Sequence, residues 1–445
     1  MRLKITLVIV VLAMSFSNAQ MRKWTLQECV EYAVENNLSI EQFELDLENA
    51  KIDKSDALGA FLPSLNGDSR LTASTGLSFN PTTQEPVNTT ILNFTGNLTS
   101  AITLFDGLRN VHQFNRAKLN AIANQYRLDD LKDDIRLNVA NAYLQVLSNK
   151  EQLKTFEAQY AVTEQDLKRT RELVESGVLP RGDLLEIEAT AANQEQQIIN
   201  GEGLVLISRV SLAQLLQITD YENFDIADEE FGIPPSDILK NSAKVIFDKA
   251  LTFRNDIRFS ETSVELAEKD LQIAKGANYP TVGAFFNYNT RYSDQNFGPD
   301  GSLIPFTEQL YVFDGISYGA SLNVPIFNGW STRNSVRRSK INLEQAKLQL
   351  EQDKLALETN IQQAYVDVTT FFKAYEAALK TMDARRLAYD YAKERYDVGL
   401  MNAFDFSQAQ ARVDNAEADV IRTKYDYIFR LKILEFYFGI PIALN

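Results

Sequence analysis

One long repeat constrains the fold of this chain more than any other feature of its sequence. Residues 104–216 align with residues 326–438 at a constant offset of 222 positions and without a gap. Solenoid repeats are only about 20–50 residues long. We therefore predict a duplicated domain, with a first structural repeat over residues 20–235 and a second over residues 236–445. A linker that begins at residue 219 joins the two.

The composition argues against several functional classes. The chain of 445 residues has 60 acidic and 45 basic side chains, so its formal net charge is −15. Binding to nucleic acid depends on clustered Lys and Arg, so no nucleic-acid partner is expected. The chain has one histidine, His112, and one cysteine, Cys29, which excludes the commonest zinc sites and a Cys–His catalytic pair. We predict neither an enzyme nor a bound cofactor or metal.

The first residues have the pattern of a secretory signal. Arg2 and Lys4 precede an apolar run over residues 5–14, which is too short to span a bilayer. The small residues up to Ala19 suit a signal peptidase, so we predict a signal peptide over residues 1–19. The mature chain would begin at Gln20 rather than at a cysteine, and no lipid anchor is expected.

Two long segments have the composition of uninterrupted helices. Neither Gly nor Pro occurs in residues 110–176 or 332–397. In the second segment apolar residues recur at alternating steps of four and three, which is typical of a coiled-coil seam: Ile361, Tyr365, Val368, Phe372, Tyr375, Leu379 and Met382. We predict long helices that end at residues 176 and 397, followed by shorter helices over residues 183–217 and 402–438. At 1.5 Å per residue a long helix reaches about 100 Å, which predicts an elongated molecule.

Segments between the helices alternate with a period of two. Residues 86–105 and 315–332 contain no charged side chain. Apolar residues occupy one parity of the first segment, while Thr and Asn dominate the other, as expected for half-buried strands. We predict β-hairpins at about residues 66–105 and 281–327. Their strands match the length that a tilted membrane-spanning strand needs, about 9–11 residues.

Two environments would suit these strands. They could pack as exposed hairpins on a water-soluble domain, or they could cross a membrane. The depletion of charge and the aromatic residues near the strand ends favour the membrane. Four strands cannot close a barrel with an open interior, and unpaired sheet edges are costly in hydrocarbon. We therefore predict an α+β membrane protein in which a cyclic oligomer shares one antiparallel β-barrel, continuous with a long coiled-coil barrel of helices.

Three short segments identify a similar family. They are the strand-to-helix junction at residues 324–330, its counterpart at residues 104–107, and the helix tip at residues 396–405. All three resemble the TolC family of outer-membrane efflux and secretion channels. The resemblance implies a homotrimer with four barrel strands per subunit in the lipid of the outer membrane, and a helical barrel across the periplasm. It also implies two partners, a periplasmic adaptor (membrane fusion) protein and an inner-membrane transporter of the resistance-nodulation-division or ATP-binding type.

The same resemblance implies an aperture at the far tip of the helices. Asp405, Asp183 and Tyr396 match the aperture and latch positions of the family. The second aperture acid of the family is replaced by Gln408, and a tip arginine that locks some members is replaced by Met401. The resemblance therefore implies a carboxylate ring and a lock at the aperture, both weaker here than in the best-known members.

Ordinary helix chemistry offers a second explanation for these acids. Asn402 can cap the following helix while Asp405 favours the helix dipole, and Asp183 with Glu186 can form an N-terminal capping pair. Capping and a role at the aperture can coexist in one residue. Sequence alone leaves both open.

Two further groups of residues complete the predicted sites. The apolar turns after the long helices either staple a tight helix–helix turn or contact the adaptor: Gly177, Val178, Leu179, Gly399, Leu400 and Met401. The strand-to-helix junctions carry the second group: Phe105, Gly107, Pro325, Phe327 and Gly329. Trp330 beside them either anchors at the membrane interface or packs within the junction.

The leading functional hypothesis is a passive exit duct in a tripartite efflux pump or a type I secretion system. An alternative is a structural or adhesive stalk, anchored by a barrel but without a conducting lumen. An envelope hydrolase is disfavoured because no nucleophile–base arrangement is evident. Composition leaves the cargo, the cognate pump and the resting state of the aperture open.

Overall fold

The computed structural model describes residues 23–79, 85–227, 232–233 and 236–440. The predicted signal peptide lies outside these residues. In chain order the described part forms β1 (Lys23–Trp24), α1 (Leu26–Asn36), α2 (Leu38–Gly59), β2 (Ser64–Phe79), β3 (Pro86–Phe105), α3 (Arg109–Glu175), α4 (Arg181–Leu215), β4 (Asp225–Ile226), α5 (Ala243–Ala250), α6 (Asn255–Gly276), β5 (Thr281–Ser293), α7 (Phe306–Val312), β6 (Gly315–Asn323), α8 (Ser331–Asp397) and α9 (Ala403–Tyr437).

The four long helices repeat at the spacing found in the sequence. Helices α3 and α8 each contain 67 residues, and α4 and α9 each contain 35. The first and last residues of α8 and α9 lie 222 positions after those of α3 and α4, so that α3 begins at Arg109 and α8 at Ser331. The shorter helices begin and end slightly earlier or later than predicted: α4 ends at Leu215 rather than 217, and Asn402 lies outside α9 as its N-cap.

The two hairpins join into one antiparallel sheet with the strand order β2-β3-β5-β6. Strands β3 and β5 pair across the two repeats, with Leu98 opposite Tyr288. The prediction for the second hairpin was wrong at its end, because β6 stops at Asn323 and residues 324–328 have no regular structure. Pro325 falls in this segment, and a proline cannot donate a ladder hydrogen bond. The connection between β5 and β6 contains the short helix α7.

The register of the sheet separates apolar and polar side chains onto opposite faces. Paired positions put Leu71 beside Phe94 and Phe286 beside Tyr318 on one face. Thr99 and Asn287 pair on the other face, where the Thr99 hydroxyl donates to Asn287 Oδ1 at 3.0 Å. In this single chain the apolar face is open, and Tyr318 is 81% exposed. The alternation predicted from the sequence is confirmed.

The chain divides into two compact units. One comprises Leu45–Tyr126 and Arg258–Glu351 and holds the sheet with the helix ends next to it. The other comprises the described residues up to Glu44, those within Arg127–Ile257, and those from Gln352 onwards. Its hydrophobic core includes the seam residues Ile361 and Val368, both fully buried. No helix in the described part of the chain combines the length and hydrophobicity needed to cross a membrane.

Candidate functional site

Both long helices end in the same backbone motif. Gly177 and Gly399 follow α3 and α8 with φ of +77° each, the left-handed region that glycine adopts without steric cost. The next amide donates back across the last turn, from Val178 N to Leu173 O at 2.9 Å and from Leu400 N to Arg395 O at 2.8 Å. These bonds define Schellman C-caps, which leave apolar side chains outside the helix. Val178 and Leu400 are accordingly 67% and 71% exposed.

The helices that follow these turns begin differently. Asn402 caps α9, because its Oδ1 accepts from the Asp405 amide at 2.8 Å and its Nδ2 donates to Asp405 Oδ2 at 3.0 Å. The capping role predicted for Asp405 is therefore confirmed. The capping pair predicted for Asp183 and Glu186 was wrong, since Pro180 occupies the N-cap of α4 and offers no side-chain acceptor. Asp183 still lies in the first turn, where a negative charge favours the helix dipole.

The two tips enclose a cleft of about 800 Å³. It lies within one compact unit and draws on both repeats. Its lining includes most of the predicted tip and latch residues: Val178, Leu179, Asp183, Tyr396, Gly399, Leu400 and Met401. Gly177 and Asp405 are outside the lining, and Asp405 is exposed.

Tyr396 is held in the cleft by stacking. Its ring lies parallel to Phe406 of α9, with centroids 4.6 Å apart and an interplanar angle of 4°. Tyr389 stacks on Phe406 as well, at 5.7 Å. The Tyr396 hydroxyl is buried beside Thr170 without a hydrogen bond of normal geometry. Burial raises the pKa of Tyr396, and the nearby Asp183 carboxylate raises it further.

Charged residues not predicted from the sequence also line this cleft. Arg169 of α3 reaches Asp397 at the end of α8, with Nη1 and Oδ1 at 2.7 Å. Asp166 lies one turn before Arg169, and its Oδ2 is buried without a hydrogen bond. Burial raises the pKa of Asp166, while the cation of Lys393 opposes this shift. No sequence signal pairs these residues, because Arg169 and Asp397 belong to different repeats.

A polar network continues from the cleft between α3, α4 and α9. Gln410 Nε2 donates to the Thr163 hydroxyl at 2.7 Å, and both residues are buried. Further along, Gln194 Nε2 donates to Asp414 Oδ2 at 2.9 Å. Burial raises the pKa of Asp414 to about 6, although the bond from Gln194 acts in the opposite direction. The helices here meet through polar side chains instead of a purely apolar seam.

The strand-to-helix junctions also repeat, in the other compact unit. Gly107 and Gly329 have φ of +75° and +63°, and the residues after them, Leu108 and Trp330, are left-handed too. A Cβ on Gly107 would lie 2.3 Å from the Gly276 carbonyl oxygen, whereas the space beside Gly329 is open. Phe105 ends β3, while Pro325 and Phe327 lie exposed in the irregular segment before α8.

Comparison with known proteins agrees with this architecture. A family model described as outer membrane efflux protein matches residues 30–216 and 246–439. Outer membrane protein TolC of Vibrio cholerae is 20% identical over 295 residues, which cover 66% of this chain and 64% of that protein. The alkaline protease secretion protein AprF of Pseudomonas aeruginosa is 20% identical over 332 residues, covering 74% of this chain and 66% of that protein. The chain thus spans slightly less than two thirds of these curated relatives.

Solved structures share the fold. The CmeC outer membrane channel of Campylobacter jejuni superposes with a TM-score of 0.80 at 18% identity, covering 93% of this chain and 85% of that one. The outer membrane protein VceC of Vibrio cholerae superposes with a TM-score of 0.77 at 16% identity, covering 94% of this chain and 97% of that one.

The fold and its tips define a class of duplicated proteins in which charge-poor β-hairpins alternate with pairs of long helices. The family match extends over both repeats, so this chain belongs to the outer membrane efflux protein family. The resemblance to TolC drawn from the junction and tip segments is confirmed.

Proposed function

We propose that this protein is the outer-membrane channel of an export assembly, either a tripartite efflux pump or a type I secretion system. It would act as a passive exit duct across the outer membrane and periplasm for small molecules or polypeptides. The observation that carries this proposal is the four-stranded sheet. It has an exposed apolar face, and its outer strands, β2 and β6, each have one edge without a partner strand in the described part of the chain.

The sheet edges supply the physical reason for assembly. Strand β2 runs over 16 residues and, within the described part of the chain, pairs with β3 alone, so its other edge is left with unpaired amide and carbonyl groups. Each such group costs several kcal/mol in hydrocarbon. Pairing β2 of one subunit with β6 of the next removes both edges and closes a barrel. A homotrimer would supply twelve strands, enough for an open interior.

The helix tips form the periplasmic aperture in this proposal. Asp183 and Tyr396 line the cleft between the tips, and Asp405 presents an exposed carboxylate beside it. Three symmetry-related copies of Asp405 would attract cations to the constriction. The exposed apolar turns, residues 177–179 and 399–401, would contact the periplasmic adaptor, which links the channel to an inner-membrane transporter.

Ion conductance tests this function directly. Purified full-length protein should insert into planar lipid bilayers and give discrete conductance steps. Asp405→Asn should weaken block by divalent cations, because it removes a negative charge and keeps a side chain of the same size. Asp248→Asn, at an exposed carboxylate of α5 outside the sheet and the tip cleft, makes the same change of charge and is a matched control. If divalent cations block the wild type and Asp405→Asn equally, Asp405 does not line the aperture.

The alternative function is a barrel-anchored envelope stalk without a lumen. It shares the sheet and the oligomer, so only conductance separates the two. Detergent-stable oligomers that never conduct would favour the stalk.

Adaptor contact is tested at the turns. Gly399→Leu places a bulky side chain in open space at a left-handed position. We expect export in cells to fail while the oligomer remains intact in detergent. Unchanged export would argue that the turns only join helices.

A further inference from the structure

The start of α8 carries an unusual concentration of positive charge. Between residues 328 and 343 the chain has four cations and no acid: Arg333, Arg337, Arg338 and Lys340. All four side chains are exposed. The next acid is Glu344, whose carboxylate pairs with Lys347 at 3.2 Å. Within the described part of the chain none of the four forms an ion pair.

Helix electrostatics disfavours this arrangement. The N-terminus of a helix carries a partial positive charge, so Arg333 in the first turn of α8 is destabilising. Arg333 and Arg337 are also like charges four positions apart, which repel each other on a helix surface. Helices α4 and α9 follow the usual pattern, with Asp183 and Asp405 in their first turns. Helix α8 has no acid in its first turn. A ligand that supplies negative charge would offset the repulsion.

The cations adjoin an exposed apolar and aromatic segment. Ile326 is 92% exposed and Phe327 is 76% exposed, although both are large hydrophobic residues. The Phe327 and Trp330 rings meet edge to face at 6.0 Å, and the Arg333 guanidinium lies 4.8 Å above the Trp330 ring. Arg333, Arg337 and Lys340 follow steps of four and three, so they share one face of α8. Trp330 precedes the helix and joins this face through its contact with Arg333.

This order of side chains matches a membrane interface. Large apolar residues suit the acyl boundary, a tryptophan suits the headgroup level, and Lys or Arg suit the phosphate layer. Arg333 and Lys340 are about 10 Å apart along the helix axis. That distance is comparable to one headgroup layer, which is about 5–8 Å thick.

The equivalent position in the first repeat does not carry the same patch. There Asp106 precedes the helix, and Arg116 pairs with Asp270 of α6. The first repeat keeps two of the four cations, Arg116 and Lys118, at equivalent positions, so the positive surface is stronger in the second repeat but is not confined to it.

We propose that the start of α8 binds the headgroups of anionic phospholipids in the membrane leaflet next to the helices. Residues 326–330 contact the acyl boundary, and the four cations bind headgroup phosphates. The proposal rests on the proposed function, because it requires the sheet to lie in a membrane.

Native mass spectrometry tests the lipid preference of the full-length protein. Protein purified in a non-ionic detergent is titrated with dioleoylphosphatidylglycerol or with dioleoylphosphatidylcholine, and bound lipid per chain is counted. The test variant replaces the four cations together, R333Q/R337Q/R338Q/K340Q. The control K373Q/K380Q/R385Q/R386Q removes the same charge from exposed positions further along α8.

One juxtamembrane cation contributes about fivefold to binding at an anionic membrane surface. We expect the test variant to bind the phosphatidylglycerol at least about tenfold more weakly, because screening reduces the product of four such factors. The control should stay within about twofold of wild type. Equal losses in both variants, or none in the test variant, would overturn the proposal.

Two further arms make the result specific. Excess inorganic phosphate should leave the bound lipid in place, since it lacks acyl chains for residues 326–330; displacement would indicate a simple anion site and contradict lipid binding. Bilayer conductance of the test variant is measured in parallel. A conducting variant with unchanged lipid preference refutes only the lipid proposal, whereas an absence of conductance in wild type refutes the channel.

Discussion

The duplicated junctions provide a matched pair of glycines with different surroundings. Gly107 and Gly329 occupy equivalent positions, and both are left-handed. Only Gly107 is enclosed, since its added Cβ would meet Gly276 O at 2.3 Å and Tyr279 Cβ at 2.9 Å. Nothing lies within 4 Å of the corresponding point on Gly329. Alanine substitution at each position therefore separates the cost of the backbone conformation from the cost of the steric clash.

The two costs have different magnitudes. An L-residue in the left-handed region is less stable by about 1–2 kcal/mol. Reduced entropy of the unfolded chain offsets about 0.4–1 kcal/mol of this when Gly becomes Ala. We expect Gly329→Ala to lower the unfolding free energy by about 1 kcal/mol. Gly107→Ala adds an overpacking cost of about 1–3 kcal/mol, because backbone atoms must move. Its total is about 2–4 kcal/mol.

Chemical denaturation of the purified protein measures this difference. Far-ultraviolet circular dichroism reports loss of helix, and it avoids the fluorescence of Trp330 beside one mutation site. Both variants should retain detergent-resistant oligomers in the absence of denaturant. Equal shifts in the two variants, or a larger shift for Gly329→Ala, would refute the steric argument at the first junction.

Three other measurements test the packing of the helices. Burial raises the pKa of Asp414 to about 6 from an ordinary 3.8, so the folded state favours the protonated form of this side chain. The contribution of Asp414 to the free energy of unfolding should be fully present below about pH 4 and should be lost as the pH rises through 6. Asp414→Asn should make the thermal stability profile less steep between pH 4 and 7, and an unchanged profile would contradict this assignment. Phe406 is only 2% exposed, so Phe406→Ala should lower the free energy of unfolding, measured by denaturation, by about 3–5 kcal/mol. Phe404 is exposed, and Phe404→Ala should lower it by less than about 1 kcal/mol. Cys29 is buried and its pKa is raised to about 12, so native protein should resist iodoacetamide that labels it in urea; rapid native labelling would refute its burial.

Local signals predicted much of the fold. The absence of Gly and Pro over residues 332–397 and the seam through Ile361 and Val368 indicated α8, and both seam residues are buried. Alternation indicated the strands and their two faces, because side chains of a strand point to opposite sides in turn. The cap on α9 was predicted because Asn402 and Asp405 interact only three positions apart.

Predictions failed where a local rule met a competing one. Asp183 and Glu186 have the spacing of a capping pair, but Pro180 occupies the cap position and shifts the helix start to Arg181. The alternating pattern continues past Asn323, yet the strand ends there because the segment that follows contains Pro325. Sequence periodicity reports the alternation of side chains, and it does not show whether the backbone amides and carbonyls form hydrogen bonds.

The cleft at the tips could not be predicted in full. Its ion pair joins Arg169 to Asp397, and the stack under Tyr396 comes from Phe406 in the next helix. The repeat offset relates equivalent residues of the two halves, but contacts across the halves join residues that are not equivalent. Their partners depend on how the helices are rotated against each other.

The sequence by itself determined the duplicated plan, the lengths of the helices and the two faces of the strands, since periodicity and Gly or Pro breaks act over a few residues. Tertiary structure alone decided the pairing of β3 with β5, the enclosure of Gly107 but not Gly329, and the polar contacts between α3, α4 and α9. These features depend on distances between segments far apart along the chain. Such distances are set by the packing of whole elements, which no short window of sequence encodes.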